Sequence, residues 1–280
     1  MSEIEKYSEI EIMPVSVVEA QNRAEMDIQI VTAKNYPRNV KRAIENCIAV
    51  VSSDPEIAKV CHYSLPRGGK DISGASVHLA RIIASEYRNL RVDSKIVDID
   101  AKMLTAQCVC IDLESNYAIR TEVKRRITTK QGQRFNDDMI VVTANAAMAI
   151  AQRNAILQVI PRVYTDRVYK AVKQTITGDI SDESKLLQKR KEILDSFKDE
   201  YGVSADEIVK LLGVGAVGSI KKEQILTLVG LANSIKDGDT TVDEAFGRKN
   251  VDVSKTSEKA KEAMEKAKNK DIEPNLGFKE

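Results

Sequence analysis

The sequence predicts an α+β protein: a helix, a three-stranded antiparallel meander and a long buried helix, followed by a small all-helical module. Three observations carry this. Runs at about 90–99, 103–113 and 117–130 have strand character and are joined by "DAK" and "ESN", connections too short for anything but antiparallel neighbours. The longest apolar stretch, 138–160, follows directly and supplies one helix to cover one sheet face. Past Gly178 the pattern changes to amphipathic helices with an acidic balance.

From the start, residues 15–34 and 38–53 have helical spacing, with "YPRN" between them and Pro37 placed to open the second helix. Asp54-Pro55 restarts a short helix to about Val60. "CHYSL" and "KDIS" flank "PRGG", a hairpin with glycines in its turn. Ser73 is the expected N-cap of the next helix, whose apolar stripe is Val77, Ala80, Ile83, Ala84 and Tyr87. After the meander, "KQGQRFNDD" turns the chain into the 138–160 helix, which stops near Pro161, and a basic helix runs over 162–176. Three further helices fall in "ESKLLQKRKEILDSFKDEYG", "SADEIVKLLG" and "KKEQILTLVGLANSIKDG", with Ser204 and Glu207 forming a capping box. The expected organisation is an N-terminal helical segment 1–60, an α+β core 61–178, a helical module 179–246 and a disordered charged tail 247–280.

Net charge over the 280 residues is +1, but it is unevenly spread. Residues 1–60 hold seven Lys/Arg against ten Asp/Glu, residues 61–135 thirteen against eight, and residues 176–246 nine against fourteen. A basic middle between acidic flanks suggests a polyanion site in the centre, or a centre that docks on its own flanks. The acidic start has neither the basic nor the apolar region of a signal peptide. Asn145, Gln152, Arg153 and Asn154 interrupt the apolar stretch, which therefore reads as the buried helix of a soluble protein and not as a membrane span, while cysteines expected to be reduced point to the cytoplasm. Cys47, Cys61, Cys108 and Cys110 show no metal-ligand spacing. Cys108 and Cys110, two apart, read as packed thiols on one strand face, and no metal or other cofactor is expected.

The glycine loop "YSLPRGGKDISG" invites comparison with a nucleotide-binding loop, and the comparison fails. That loop needs GxxxxGK[ST], but Ser64 stands where the first glycine belongs and Asp71 where the magnesium-binding hydroxyl belongs. What remains is a basic hairpin tip carrying Arg67 and Lys70. The third strand is a stronger signal. At period two, Arg120, Glu122, Lys124, Arg126, Thr128 and Lys130 share one face, while Tyr117, Ile119, Thr121, Val123, Arg125 and Ile127 share the other. Same-face residues stand about 6.6–6.8 Å apart along a strand, close to the phosphate spacing of a partly extended single strand. Arg134 follows in the turn. Arg153, on an otherwise apolar helix, needs a core carboxylate, a subunit contact or a polyanion to satisfy it. Arg162 and Arg167 continue the line. Tyr117 and Phe135 flank the basic strand, where they stack on bases or join the core. Asp137 with Asp138, and Asp98 with Asp100, are the pairs a magnesium-dependent nuclease would use. Aspartates at such turns more often cap helices and close hairpins.

The order glycine-tipped hairpin, helix, basic meander and arginine-bearing apolar helix resembles the core of the single-strand annealing recombinases. These are the RecT, Redβ and Erf proteins of phages and the eukaryotic Rad-type annealing protein. The resemblance rests on "LPRGGKDISGASVHLARIIA", "NLRVDSKIVDID", "AQCVCIDLESNYAIRTEVKRRITTKQG" and "NDDMIVVTANAAMAIAQRNAILQVIPRVY". The wording of these segments, and of "IKDGDTTVDEAFG", is also similar to phage and prophage proteins. The resemblance implies a homo-oligomeric ring or filament that binds single-stranded DNA in a basic groove and anneals complementary strands without ATP. In that role Arg120, Lys124 and Arg126 would line the sheet, Arg67 and Lys70 the hairpin, and Arg153 the helix. Lys130, Arg134 and Arg162 would extend the groove. It also implies that 179–246 contacts a partner exonuclease or single-strand binding protein. Aromatic content is 4% with no Trp, which favours backbone contact over stacking. Two other classes stay open: the metal-dependent nuclease, and an assembly protein whose basic strand meets acidic helices of a neighbouring copy.

Overall fold

The computed structural model describes residues 15–67, 70–129, 131–178 and 183–248. It is α+β, with a three-stranded antiparallel sheet and a C-terminal helical region. Helix α1 (Val15–Asn35) leads through Tyr36–Asn39 to α2 (Val40–Ser53). Pro37 does not open α2. The helix begins three residues later, where Asn39 supplies the cap, its side chain accepting from the Arg42 amide at 3.0 Å. Helix α3 (Pro55–Val60) is capped by Asp54, with Pro55 at its first position.

Strands β1 (His62–Arg67) and β2 (Lys70–Ala75) pair antiparallel with Arg67 opposite Lys70, which makes the predicted hairpin. Ser73 lies within β2, so it cannot cap. The N-cap of α4 (Val77–Tyr87) is Ser76, whose Oγ accepts from Leu79 N at 3.3 Å and donates to Val60 O at 2.6 Å. Arg88 and Asn89 then take positive φ, which ends the helix and turns the chain into the meander.

Strands β3 (Leu90–Ile99), β4 (Met103–Asp112) and β5 (Tyr117–Arg126) pair in that order, with a bulge in β3 between Ile96 and Asp98. The third strand is shorter than its sequence pattern suggests. Past Arg126, Ile127 is buried and its amide donates to Lys102 O, while Thr128 bridges Arg134 and is buried as well. The demand to bury Ile127 folds the chain back on itself, so Thr128 leaves the exposed face of β5. Lys130 lies outside the described residues.

Helix α5 (Asp137–Val159), capped by Asn136, covers one face of the sheet. Leu104, Ala106, Cys108 and Cys110 meet it from β4, and Ile119 and Val123 from β5. Thr121 Oγ1 donates to Ala151 O at 2.8 Å, which satisfies its hydroxyl where α5 crosses that face of β5. Among the described residues α5 is the one helix long and apolar enough to cross a membrane, and it lies against all three strands as the core helix. Its small residues Ala147, Ala151 and Ala155 bring it close to the sheet. Helix α6 (Arg162–Thr177) packs on α2 and α3.

In the C-terminal region come α7 (Glu183–Tyr201), α8 (Ala205–Leu212), α9 (Lys222–Lys236) and the short α10 (Val242–Ala245). The Ser204–Glu207 capping box is present. A second apolar cluster, centred on Phe197, Ile208, Ile220, Leu228 and Leu231, holds these helices together. Helix α9 also packs directly along β1. Asn233 Nδ2 donates to His62 O at 2.8 Å, and the buried His62 ring joins Tyr169 Oη (2.7 Å) to Leu226 O (3.1 Å). Arg248 reaches Glu207 at 2.8 Å. The tail expected beyond it lies outside the described residues.

Candidate nucleic-acid interface

Alternation along β5 puts Arg120, Glu122, Lys124 and Arg126 on the sheet face turned away from α5, and all four are exposed. Register places Val109, Gln107, Thr105 and Met103 of β4 opposite them. Gln107 Nε2 donates to Glu122 Oε1 at 3.0 Å, so the one acid in the row is drawn toward the middle strand. Beyond β4, the same face carries Arg91, which pairs with Asp93 at 2.8 Å, and the exposed Lys95. The cations therefore concentrate along β5. Its outer edge has no neighbouring strand among the described residues.

Arg134 stands at one end of this row. Its Nη1 donates to Asp100 O at 2.8 Å, which fixes its exposed side chain to the β3–β4 turn. Asp100 closes that turn by accepting from the amides of Lys102 (2.6 Å) and Met103 (2.7 Å). These bonds, helped by the nearby charges of Lys124 and Arg134, hold its carboxyl below the usual range. Tyr117, at the start of β5, is exposed but belongs by alternation to the face of Ile119 and Thr121 and not to the cationic face, and Phe135 is half-buried against the main core.

Other predicted residues lie apart from the row. Arg153 is on α5, on the opposite side of the sheet, with its guanidinium 4.4 Å from the Tyr63 ring of β1. Helix residue and hairpin are thus brought together, but away from Arg120, Lys124 and Arg126. The strand positions of Arg67 and Lys70 are opposite one another at the hairpin end. Arg162 is exposed at the start of α6, in an i,i+4 pair with Asp166 at 3.3 Å.

Two arginines have structural roles that sequence reasoning did not assign. Arg125, on the α5-facing side of β5, donates to the carbonyls of Gly238 (2.9 Å) and Asp239 (3.2 Å) in the turn after α9. Its placement was visible as the lone charge on an apolar strand face. Arg38, before α2, is almost wholly buried. It binds Asp112 and Glu114, donates to Asn89 O and stacks over Tyr87 at 4.1 Å. No local pattern marks it, because its partners, from Tyr87 to Glu114, lie far along the chain.

Of the aspartates weighed for a metal, Asp137 and Asp138 occupy the first turn of α5, where negative charge favours the helix. No group of three His, Cys, Asp or Glu side chains suited to a metal occurs among the described residues. All four cysteines are buried thiols, and burial pushes Cys47, Cys61 and Cys110 up to about 12. No protein-family model, curated protein or solved structure matches the chain.

Proposed function

We propose that this protein binds single-stranded DNA along the outer face of β5 and anneals complementary strands without ATP, as a homo-oligomer encoded by a phage or prophage and acting in the host cytoplasm. The observation that carries the reading is the exposed row of Arg120, Lys124 and Arg126 on one strand face, with Glu122 drawn aside by Gln107. Cations repeating at strand spacing suit a repeating phosphate chain, and an edge strand with no partner on its outer side among the described residues leaves bases free to pair. Neutralising two strands removes the repulsion that slows their encounter, so annealing needs no fuel. Self-association is supported by the exposed apolar residues of α1, Val17, Val18, Ile28 and Val31, which the other described residues leave uncovered. The helical region 183–248 would serve a partner exonuclease or single-strand binding protein through its free surface, where Leu187 is exposed.

The test is charge removal. Arg120→Ala, Lys124→Ala and Arg126→Ala are each expected to weaken binding of a single-stranded oligonucleotide. Each should also flatten the dependence of log K on log salt by about 0.7 per lost phosphate contact. Unchanged slopes would remove β5 from the interface. The uncovered face of α1 also favours a second reading, an assembly protein that self-associates without DNA. Under that reading the three variants alter subunit association and leave oligonucleotide binding absent throughout.

A further inference from the structure

The turn after α9 brings two carboxylates and two carbonyls onto cationic and polar groups of three core elements. Asp237 lies 3.4 Å from His78 of α4. Arg125 of β5 donates from both terminal nitrogens to the carbonyls of Gly238 and Asp239. Asp239, 9% exposed, sits in the fields of Arg153 of α5 and Arg125. Gly238 has φ 74°, and a Cβ there would lie 3.7 Å from Ala146 Cβ, so the turn is seated on α5. Arg153 itself lies over the Tyr63 ring of the hairpin at 4.4 Å, and its Nε and Nη2 donate to Asn154 Oδ1 at 3.2 Å.

We infer that Arg125 and Arg153, with Tyr63 beside them, form a second seat for a phosphodiester backbone, and that the Asp237–Gly238–Asp239 turn occupies it as an internal competitor. This inference rests on the proposed function for its ligand. The chemistry matches: guanidinium forks take phosphate oxygens as readily as carbonyl and carboxylate oxygens, and more strongly when the acceptor is charged. Arg125 meets neutral carbonyl oxygens of the turn and not its carboxylates. Burial outweighs both arginines and keeps the Asp239 carboxyl above its usual range, so the turn gains hydration on leaving. A polyanion arriving at the hairpin would replace two imperfect internal acceptors with phosphates. The C-terminal region then sets how much backbone the core can hold.

The turn reports its own order, because the amides of Asp239 and Thr240 donate to Ser234 O of α9 at 2.9 and 3.2 Å, and a turn displaced from the core by peeling off the end of α9 loses that protection. The experiment uses the full chain and two probes, a 30-nucleotide oligothymidylate and inorganic polyphosphate. The double variant Asp237→Asn/Asp239→Asn is expected to bind either probe roughly three- to tenfold tighter, and adding Arg125→Gln and Arg153→Gln should cancel the gain. In the unmodified chain, saturating probe should speed hydrogen exchange at residues 239 and 240. Equal or weaker binding by the folded double variant, or unchanged exchange on saturation, would overturn the inference. If the variant does not fold, the exchange result alone decides. If oligothymidylate binds neither chain, the proposed function fails, and the polyphosphate comparison still decides whether the seat exists.

Discussion

Gly230 of α9 and Ser64 of β1 touch backbone to backbone: a Cβ on Gly230 would lie 2.6 Å from Ser64 N and 2.7 Å from Tyr63 C. That approach makes α9 part of the core, since only a residue without a side chain lets a helix lie this close to the hairpin.

Gly230→Ala should therefore destabilise the protein by about 1–3 kcal/mol, although alanine in a helix would ordinarily help. Gly218→Ala, where a Cβ meets nothing within 4 Å, is the matched control and should be close to neutral. Chemical denaturation of both variants checks the contrast. Equal stabilities would mean that α9 and β1 are not fixed to one another.

Arg38→Ala should be among the most damaging single changes, at about 3–5 kcal/mol. It leaves the carboxylates of Asp112 and Glu114 without their cation where the arginine side chain is only 5% exposed. The network joins the α1–α2 connection to the β4–β5 turn, so loss should also appear as faster exchange at Leu113, whose amide donates to Asn89 O.

The same network makes stability fall in acid. Burial opposes charge on Asp112 and Glu114, yet hydrogen bonds from Arg38, Asn89 and the local backbone prevail and hold both carboxyls below their usual range. A depressed carboxyl contributes stability above its unfolded value, about 3.9–4.3 for these residue types, and loses it as pH falls through the lower folded value. Denaturation midpoints should thus decline below about pH 4. The decline should be shallower in Asp112→Asn, which starts less stable at neutral pH. A parallel decline in both chains would remove Asp112 from the account.

In the helical region, Ser204→Ala should cost about 1 kcal/mol through loss of the capping box. Glu207, held at about 2 by hydrogen bonds from Arg248 and Ser204, should lose its tie to Arg248 on substitution with Gln. A thermal melt of each variant measures both effects.

How much of this was legible follows from the range of each interaction. The meander, the covering helix and the exposed face of β5 are written in period and spacing, and they are found where those patterns put them. The boundaries that moved did so for local reasons: Ser76 caps α4 because the hairpin runs through Ser73, and β5 stops because Ile127 must be buried. The Arg38 cluster and the seat of Arg125 were hidden because each joins elements distant in the chain. Arg153 was conspicuous, but only the fold could show that it meets Tyr63 on the far side of the sheet from Arg120.

The most direct test of the central claim mixes two complementary labelled oligonucleotides with the protein, in chelator and without ATP, across a range of salt. The account predicts rapid pairing that fades as salt rises and is lost in the Arg120→Ala/Lys124→Ala/Arg126→Ala variant. Pairing no faster than without protein, with the oligonucleotides intact and unbound, would contradict it.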